Sequence, residues 1–327
     1  MITQEQIKFK KGKIGASQVA AALGISPFQT PAGLAMEILG RIPPPEENEA
    51  MRTGNIMEPA IGQLYMDREE MIIHPWEETC VHPHFEWLIA HPDYFYNDEN
   101  EIKPICLIEI KNVGARQRFR WEDGVPVHVV AQCVLQSLLT GINRVEVVAY
   151  FGGNDLEIYP LKITAKQQES LMTRVSLFWF DWIEKNMIPP VCDRDIELIK
   201  ILYPSADNVT ELTATGAVMD DVKDYWAWKQ NRNAIDQTIG TLEAKIRLMM
   251  GGASTLNAPD GTRLFTWRQA KPSTKTDWKE VVGVLTETFS QHEPFINETV
   301  NQHSLTKDGS RRFLDKHKYD EVCRGSL

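Results

Sequence analysis

No stretch of this 327-residue sequence approaches the roughly 20 consecutive apolar residues that a membrane-spanning helix needs, so no membrane partner is expected. Its opening, MITQEQIKFKKGKIG, is polar and basic with no apolar run, which is not the pattern of a secretory signal and predicts a cytoplasmic protein. Cysteine is sparse. The five (Cys80, Cys106, Cys133, Cys192, Cys323) are odd in number and far apart, which fits neither a disulfide framework, a zinc-finger pair nor an iron–sulphur cluster. Cys106, in an apolar run, and Cys133, in an expected helix, read as small core residues. Positive charge is also short: the formal net charge is −10, which argues against a generally basic nucleic-acid-binding surface. Local basic stretches soften that argument, because one cleft can attract phosphate in a chain that is acidic overall.

What is present is ordinary globular composition, 43% hydrophobic and 24% charged, over a length that predicts one large domain or two modest ones. Residues 14–40 read as two short helices: Ser17 as N-cap of QVAAAL with Gly24 as its stop, then Thr30-Pro31 opening AGLAMEIL. A third helix is expected from about Ala50 to Glu69, with Ile56, Ala60, Leu64 and Tyr65 on its buried stripe. From Met71 the period changes to that of strands, at 71–76, 79–90, 105–111, 144–151 and 156–163. A strong helix, VPVHVVAQCVLQSLLTG, interrupts them, and another follows over 165–186. That order predicts an α/β core, a mixed central sheet flanked by helices, over residues 1–204. After Tyr203-Pro204 the character shifts to a long helix over 212–250, a hairpin at Asp260-Gly261 and a helix from Asp277, a smaller accessory module spanning 205–327. Most of the acidity lies in the first part. Over 205–327, sixteen Lys and Arg stand against seventeen Asp and Glu; over 1–204, nineteen stand against twenty-eight.

The chemistry concentrates in HPDYFYNDENEIKPICLIEIK. Asp93 is read as ending a strand at a turn, and Glu109-Ile110-Lys111 follows sixteen residues later within a strand. Alternation along a strand puts Glu109 and Lys111 on one face while Ile108 and Ile110 point to the other. Two carboxylates converging from adjacent strands offer the hard oxygen ligands that Mg²⁺ takes, with the Ile110 carbonyl completing the protein's share. Such a metal activates water and offsets charge on a phosphorus under attack, and Lys111 is placed to orient or deprotonate that water or to stabilise the developing charge. An Asp in a turn and a Glu-x-Lys on a solvated strand are common patterns; the otherwise apolar LIEIK run sets this one apart. Histidines 74, 82, 84 and 91 lack further metal-ligand spacing and read as structural, with His82 and His84 expected on one strand face.

Asp93…Glu109-x-Lys111 resembles the signature of the PD-(D/E)XK nucleases, and its surroundings from about Lys10 to Phe151 resemble the YqaJ-type, lambda-exonuclease-like viral recombinase family. KKGKIGAS (Lys10–Ser17) is similar to that family's opening element, which implies a 5′-phosphate contact for Lys10, shared with Lys11 or Lys13, and a phosphate contact for Ser17. Here lysine stands where the family typically has arginine. AMRTGNIMEP resembles the family's G-x-x-x-E helix and implies an auxiliary metal-side acid in Glu58; AQCVLQ resembles its A-Q-x-Q helix and implies that Gln132 sits beside Lys111, with Gln136 one turn on. Arg116, Arg118, Arg120 and Trp121 read either as a backbone and end-base contact or as a solvated face.

The resemblance implies a restriction-endonuclease-like fold and a Mg²⁺-dependent exonuclease (two ions, with Mn²⁺ able to substitute). It would act 5′→3′ on free ends of double-stranded DNA, leaving 3′ tails for a single-strand annealing protein. It also implies a homotrimeric ring and a phage- or mobile-element-encoded protein working in a bacterial host. Two rivals stand beside it: a structure- or sequence-selective endonuclease on the same fold, since the trio fixes hydrolysis and not substrate, and a non-catalytic DNA-end binding or recruitment protein.

Overall fold

The computed structural model describes residues 12–97, 103–152, 154–206, 209–273 and 275–304. Lys10, Lys11 and Cys323 lie outside these. The chain divides into two units, Met1–Pro204 and Ser205–Leu327.

In the first unit, β1 (Ile14–Gly15) leads directly into helix α1 (Ala16–Ala22). Gly15, not Ser17, is its N-cap: the chain leaves β1 extended at Gly15, so Ser17 falls within the first turn. Helix α2 (Pro31–Ile38) begins as expected, with the Thr30 hydroxyl accepting from the Gly33 N–H and Pro31 in the first helical position. Helix α3 (Glu49–Glu69) is the third, but its buried face is Ile61, Gly62 and Tyr65, while Ile56, Ala60 and Leu64 are exposed. The correction has a simple cause: Ile61 and Tyr65 pack against Ile73, Ile108, Ile110 and Val148, and the helix's N-terminal half has little of that apolar surface beneath it.

Strands β2 (His74–Pro75), β3 (Cys80–Val81), β4 (Leu88–Ala90) and β5 (Tyr94–Asn97) are short. The expected 79–90 strand is two, β3 and β4, folded back antiparallel with Val81 opposite Ile89. His82 lies in the turn between them and not on a strand face; its Nδ1 accepts from the N–H groups of His84 and Phe85, each at 3.2 Å. Strands β6 (Pro104–Val113), β7 (Arg144–Phe151) and β8 (Asp155–Lys162) complete a five-stranded mixed sheet in the order β2-β5-β6-β7-β8, in which only β6 and β7 run parallel. β1, β4 and β3 form a second, three-stranded sheet.

The parallel β6–β7 pair is joined by helix α4 (Val127–Thr140), closed by Gly141 in the left-handed region at φ +76, where glycine has no side chain to clash. Helices α5 (Ala165–Phe178) and α6 (Ile196–Leu202) finish the unit. The chain leaves α5 through a π-type turn at Trp179–Ile183, so the helix expected over 165–186 is shorter and ends in a wider turn. One core, built from Leu107, Val145, Val147, Ala149, Cys133 and Leu135 among others, fills the α4 side of the large sheet. The other, with Tyr65, Cys106, Ile108 and Ile110, fills the α3 side.

The second unit consists of helix α7 (Gly216–Met250), a hairpin of β9 (Thr255–Asn257) and β10 (Arg263–Thr266), and helices α8 (Trp278–Thr288) and α9 (Glu293–Gln302). Asp260 accepts from the Thr262 N–H across the hairpin turn, and Gly261 takes φ +86 there. No helix among the described residues is long and apolar enough to cross a membrane.

Candidate active site

Strand β5 begins only at Tyr94, paired with Ile108, so beyond that point the β5-facing edge of β6 has lost its backbone partner. A buried N–H needs an acceptor. The Asp93 carboxylate supplies it, taking the Ile110 N–H at 2.8 Å. Asp93 thus precedes a strand instead of ending one, and serves as a side-chain continuation of the ladder beside Glu109.

Alternation on β6 then sorts its side chains. Ile108 and Ile110 enter the α3-side core, whereas Leu107, Glu109, Lys111 and Val113 face α4. Glu109 is 1% exposed. A carboxylate so deeply placed is tolerable only when its oxygens are hydrogen-bonded. Helix α4 provides the donors one turn apart on a single face: Gln132 Nε2 reaches Glu109 Oε1 at 2.6 Å, and Gln136 Nε2 reaches Oε2 at 2.6 Å. The Lys111 ammonium donates to Glu109 Oε1 and, at 3.2 Å, to the Gln132 side-chain oxygen. Lysine, glutamate and glutamine therefore close a three-membered ring of polar contacts.

A cavity of about 340 Å³ opens over this ring. Its walls include Glu58, Asp93, Glu109, Ile110, Lys111, Gln132 and Ser17. Glu58 comes from the overhanging half of α3, where Pro59 has no N–H to return to the Asn55 carbonyl and both Asn55 and Gly54 line the wall. Asn112, Thr79 and His91 complete much of the remainder. His91, read from sequence as merely structural, stands two residues before Asp93, which is the signal that places it here; burial lowers its pKa and favours the neutral ring.

Electrostatically the cavity is over-supplied with carboxylates. Burial, then the Glu109 charge, raise the Asp93 pKa well above the usual range, with Glu58 adding to it; Lys111 and the Ile110 N–H oppose without cancelling. Glu58 is raised by the same two causes, burial and Glu109. Lys111 loses from burial but gains more from the carboxylates of Glu109 and Asp93, so its pKa is raised and it stays an ammonium. Among the described residues no three His, Cys, Asp or Glu side chains converge tightly enough to form a metal site. In kind, however, the donor set fits a hard divalent cation: carboxylate oxygens, in excess over the one ammonium, around one cavity.

The basic stretch divides. It forms a 3-10 turn, Ala115–Trp121, in which Arg116 and Arg120 are exposed. Arg118 instead pairs with Asp155 and Glu157 on β8, and its guanidinium lies 4.7 Å over the Phe151 ring. Trp121 is buried, edge-on to Phe151, so it is part of the core and not a platform for a base. Lys13 is half-buried at the start of the described chain.

Residues 6–143 match the model of the YqaJ-like viral recombinase domain. An uncharacterized protein YqaJ from Bacillus subtilis (strain 168) is 23% identical over 255 residues, covering 76% of this chain and 77% of that protein. Among solved structures, an alkaline exonuclease (LHK-Exo) from Laribacter hongkongensis is 22% identical, with 56% of this chain and 94% of that chain covered at a TM-score of 0.46. The same protein in complex with dAMP gives 20% identity, 61% and 96% coverage and a TM-score of 0.47. The matched residues 6–143 include Glu58, Asp93, Glu109, Lys111 and Gln132, so the similarity to the YqaJ-like viral recombinase domain falls on the part of the chain that walls the cavity.

Proposed function

We propose that the protein is a Mg²⁺-dependent exonuclease that degrades one strand of duplex DNA from its 5′ end and leaves a 3′ single-stranded tail for an annealing protein. The observation that carries the hydrolytic part is the single cavity walled by Glu58, Asp93, Glu109, Lys111 and Gln132. End-dependence, polarity, the annealing partner and a ring of three nuclease units rest on resemblance to the family.

In this reading Asp93, Glu109, the Ile110 carbonyl and Glu58 would hold Mg²⁺, one ion or two, with Mn²⁺ able to replace it. The cation would supply positive charge for the phosphorane-like transition state and acidify the attacking water. The protein's own groups do the positioning. Gln132 and Gln136 fix both oxygens of Glu109, so that its orientation does not change as charge develops. Lys111 donates a hydrogen bond to the phosphate oxygen or to the attacking water, or helps to deprotonate that water. Ser17 on the wall and Lys13, with Lys10 and Lys11 before it, are assigned to phosphates of the scissile strand; Arg116 and Arg120 are assigned to the flanking backbone.

The test is digestion of linear duplexes bearing a 5′ phosphate or a 5′ hydroxyl, each strand labelled separately, beside closed circular plasmid. The expected result is Mg²⁺-dependent loss of the 5′-phosphorylated strand alone, absent in Lys111→Ala and Glu109→Ala. Cutting of the closed circle would overturn the exonuclease in favour of an endonuclease. Full activity in both variants would remove the assigned site.

A further inference from the structure

Helix α7, residues Gly216–Met250, has 35 residues and a length of about 52 Å at 1.5 Å per residue, yet only Met250 in it is buried. Helices in water owe most of their stability to a packed apolar face and not to propensity. This one carries such a face, with a seven-residue period. Val218, Tyr225, Arg232, Ile239 and Ile246 recur every seventh residue. Asp221, Trp228, Ile235, Leu242 and Met249 form a second set, three residues after each of the first. Alternating steps of three and four make one continuous seam, and eight of its ten positions are apolar or aromatic. Ile235, Ile239 and Leu242, at its centre, are 58%, 48% and 52% exposed.

We propose that this seam is a two-stranded parallel coiled coil with the same helix of a second copy of the chain. Its residue types select that occupant. A strict seven-residue repeat keeps a seam facing one partner helix wound about it left-handedly. Val218, Ile239 and Ile246 in the first set with Leu242 in the second are the residue types that favour two parallel strands over three or four, while Tyr225, Trp228, Ile235 and Met249 fill the seam without selecting that number. Arg232, at a first-set position, suits two strands as well, since its stem lies along the seam while its guanidinium reaches water. Flanking the seam, Asp224 on one copy would face Lys229 on the other, five residues on, an opposite-charge pair in the parallel register. Nucleic acid is a poorer occupant: α7 carries five Lys and Arg against five Asp and Glu, and Lys223–Asp220 and Arg247–Glu243 already pair along it.

The seam is independent of the proposed ring of nuclease units; whatever assembly those form, pairing through α7 multiplies it by two. The test is multi-angle light scattering of the full chain at micromolar concentration, with helicity followed by circular dichroism. Ile239→Lys combined with Leu242→Lys should halve the mass, while Gln237→Lys, on the opposite face, should leave it unchanged. Under mild oxidation Leu242→Cys should give a cross-linked dimer above the wild-type background and Ala244→Cys should not. A wild-type mass with the double variant, a monomeric wild type, or equal cross-linking at both positions would overturn the proposal. The outcome does not depend on whether the nuclease reading holds, since mass and cross-linking need no activity.

Discussion

Replacing Asp93 by Asn changes the charge in the cavity while keeping an oxygen to accept the Ile110 N–H. Without metal, Asp93 has two like-charged neighbours, Glu109 and Glu58, and one ammonium, Lys111. That leaves about one uncompensated repulsion, on the order of 2–3 kcal/mol for charges about 6 Å apart at an effective dielectric near 20. Weakening the charge-assisted bond from Ile110 takes back about 1 kcal/mol. The net expectation for the metal-free protein at alkaline pH is a gain of about 1–2 kcal/mol, or a melting temperature higher by about 2–8 °C for a unit of this size. The sign with pH follows from the direction of the shift. Because the folded pKa of Asp93 is raised, the native state holds that proton more tightly than the unfolded chain does. The stabilisation from protonation is complete below the unfolded carboxylate range and is lost as pH rises through the raised folded value. The gap between variant and wild type should therefore be widest near about pH 9 and close towards about pH 5. Calorimetry in a chelator at both pH values measures it, and millimolar Mg²⁺ should reverse the order by stabilising only the wild type. An Asn variant that melts below the wild type at high pH in chelator would refute the reasoning, since Asp93 would then be a net support of the fold.

Gln136→Leu removes the 2.6 Å donor to a buried carboxylate oxygen, which should cost about 1.5–3 kcal/mol and lower the melting temperature by about 3–12 °C. Turnover at saturating DNA should fall with it. Arg116→Ala and Arg120→Ala should each reduce the slope of log affinity against log salt by about 1, read by titrating labelled duplex at several salt concentrations. Arg118→Ala should change that slope less, because its guanidinium is already paired with Asp155 and Glu157.

Much of the site is local and therefore readable in one dimension. The face shared by Glu109 and Lys111 follows from strand alternation, and Gln132 and Gln136 are neighbours by helical spacing alone. The Thr30 cap and the Gly141 stop are equally local. The misread places depend on partners distant in sequence. Ile56 and Leu64 look like a stripe until the sheet beneath α3 fixes Ile61 and Tyr65 as the inward face. Trp121 looks like part of a basic, DNA-facing run until Phe151, thirty residues on, covers it. The extent of β2, β3 and β4 is set by what each pairs with, not by its own two or three residues. Asp93's bond to the Ile110 N–H exists only because β5 stops short of it.

The carboxylates of the cavity do not share one mounting. Asp93 and Glu109 are fastened at a single junction, the former to the backbone of β6 and the latter to α4. Glu58 rides on α3, which packs on the sheet through Ile61, three residues on, and through Tyr65, whose hydroxyl meets the Glu146 carboxylate at 2.7 Å. Any shift of α3 on the sheet would therefore move one carboxylate of the cavity against a pair that stays fastened to β6 and α4.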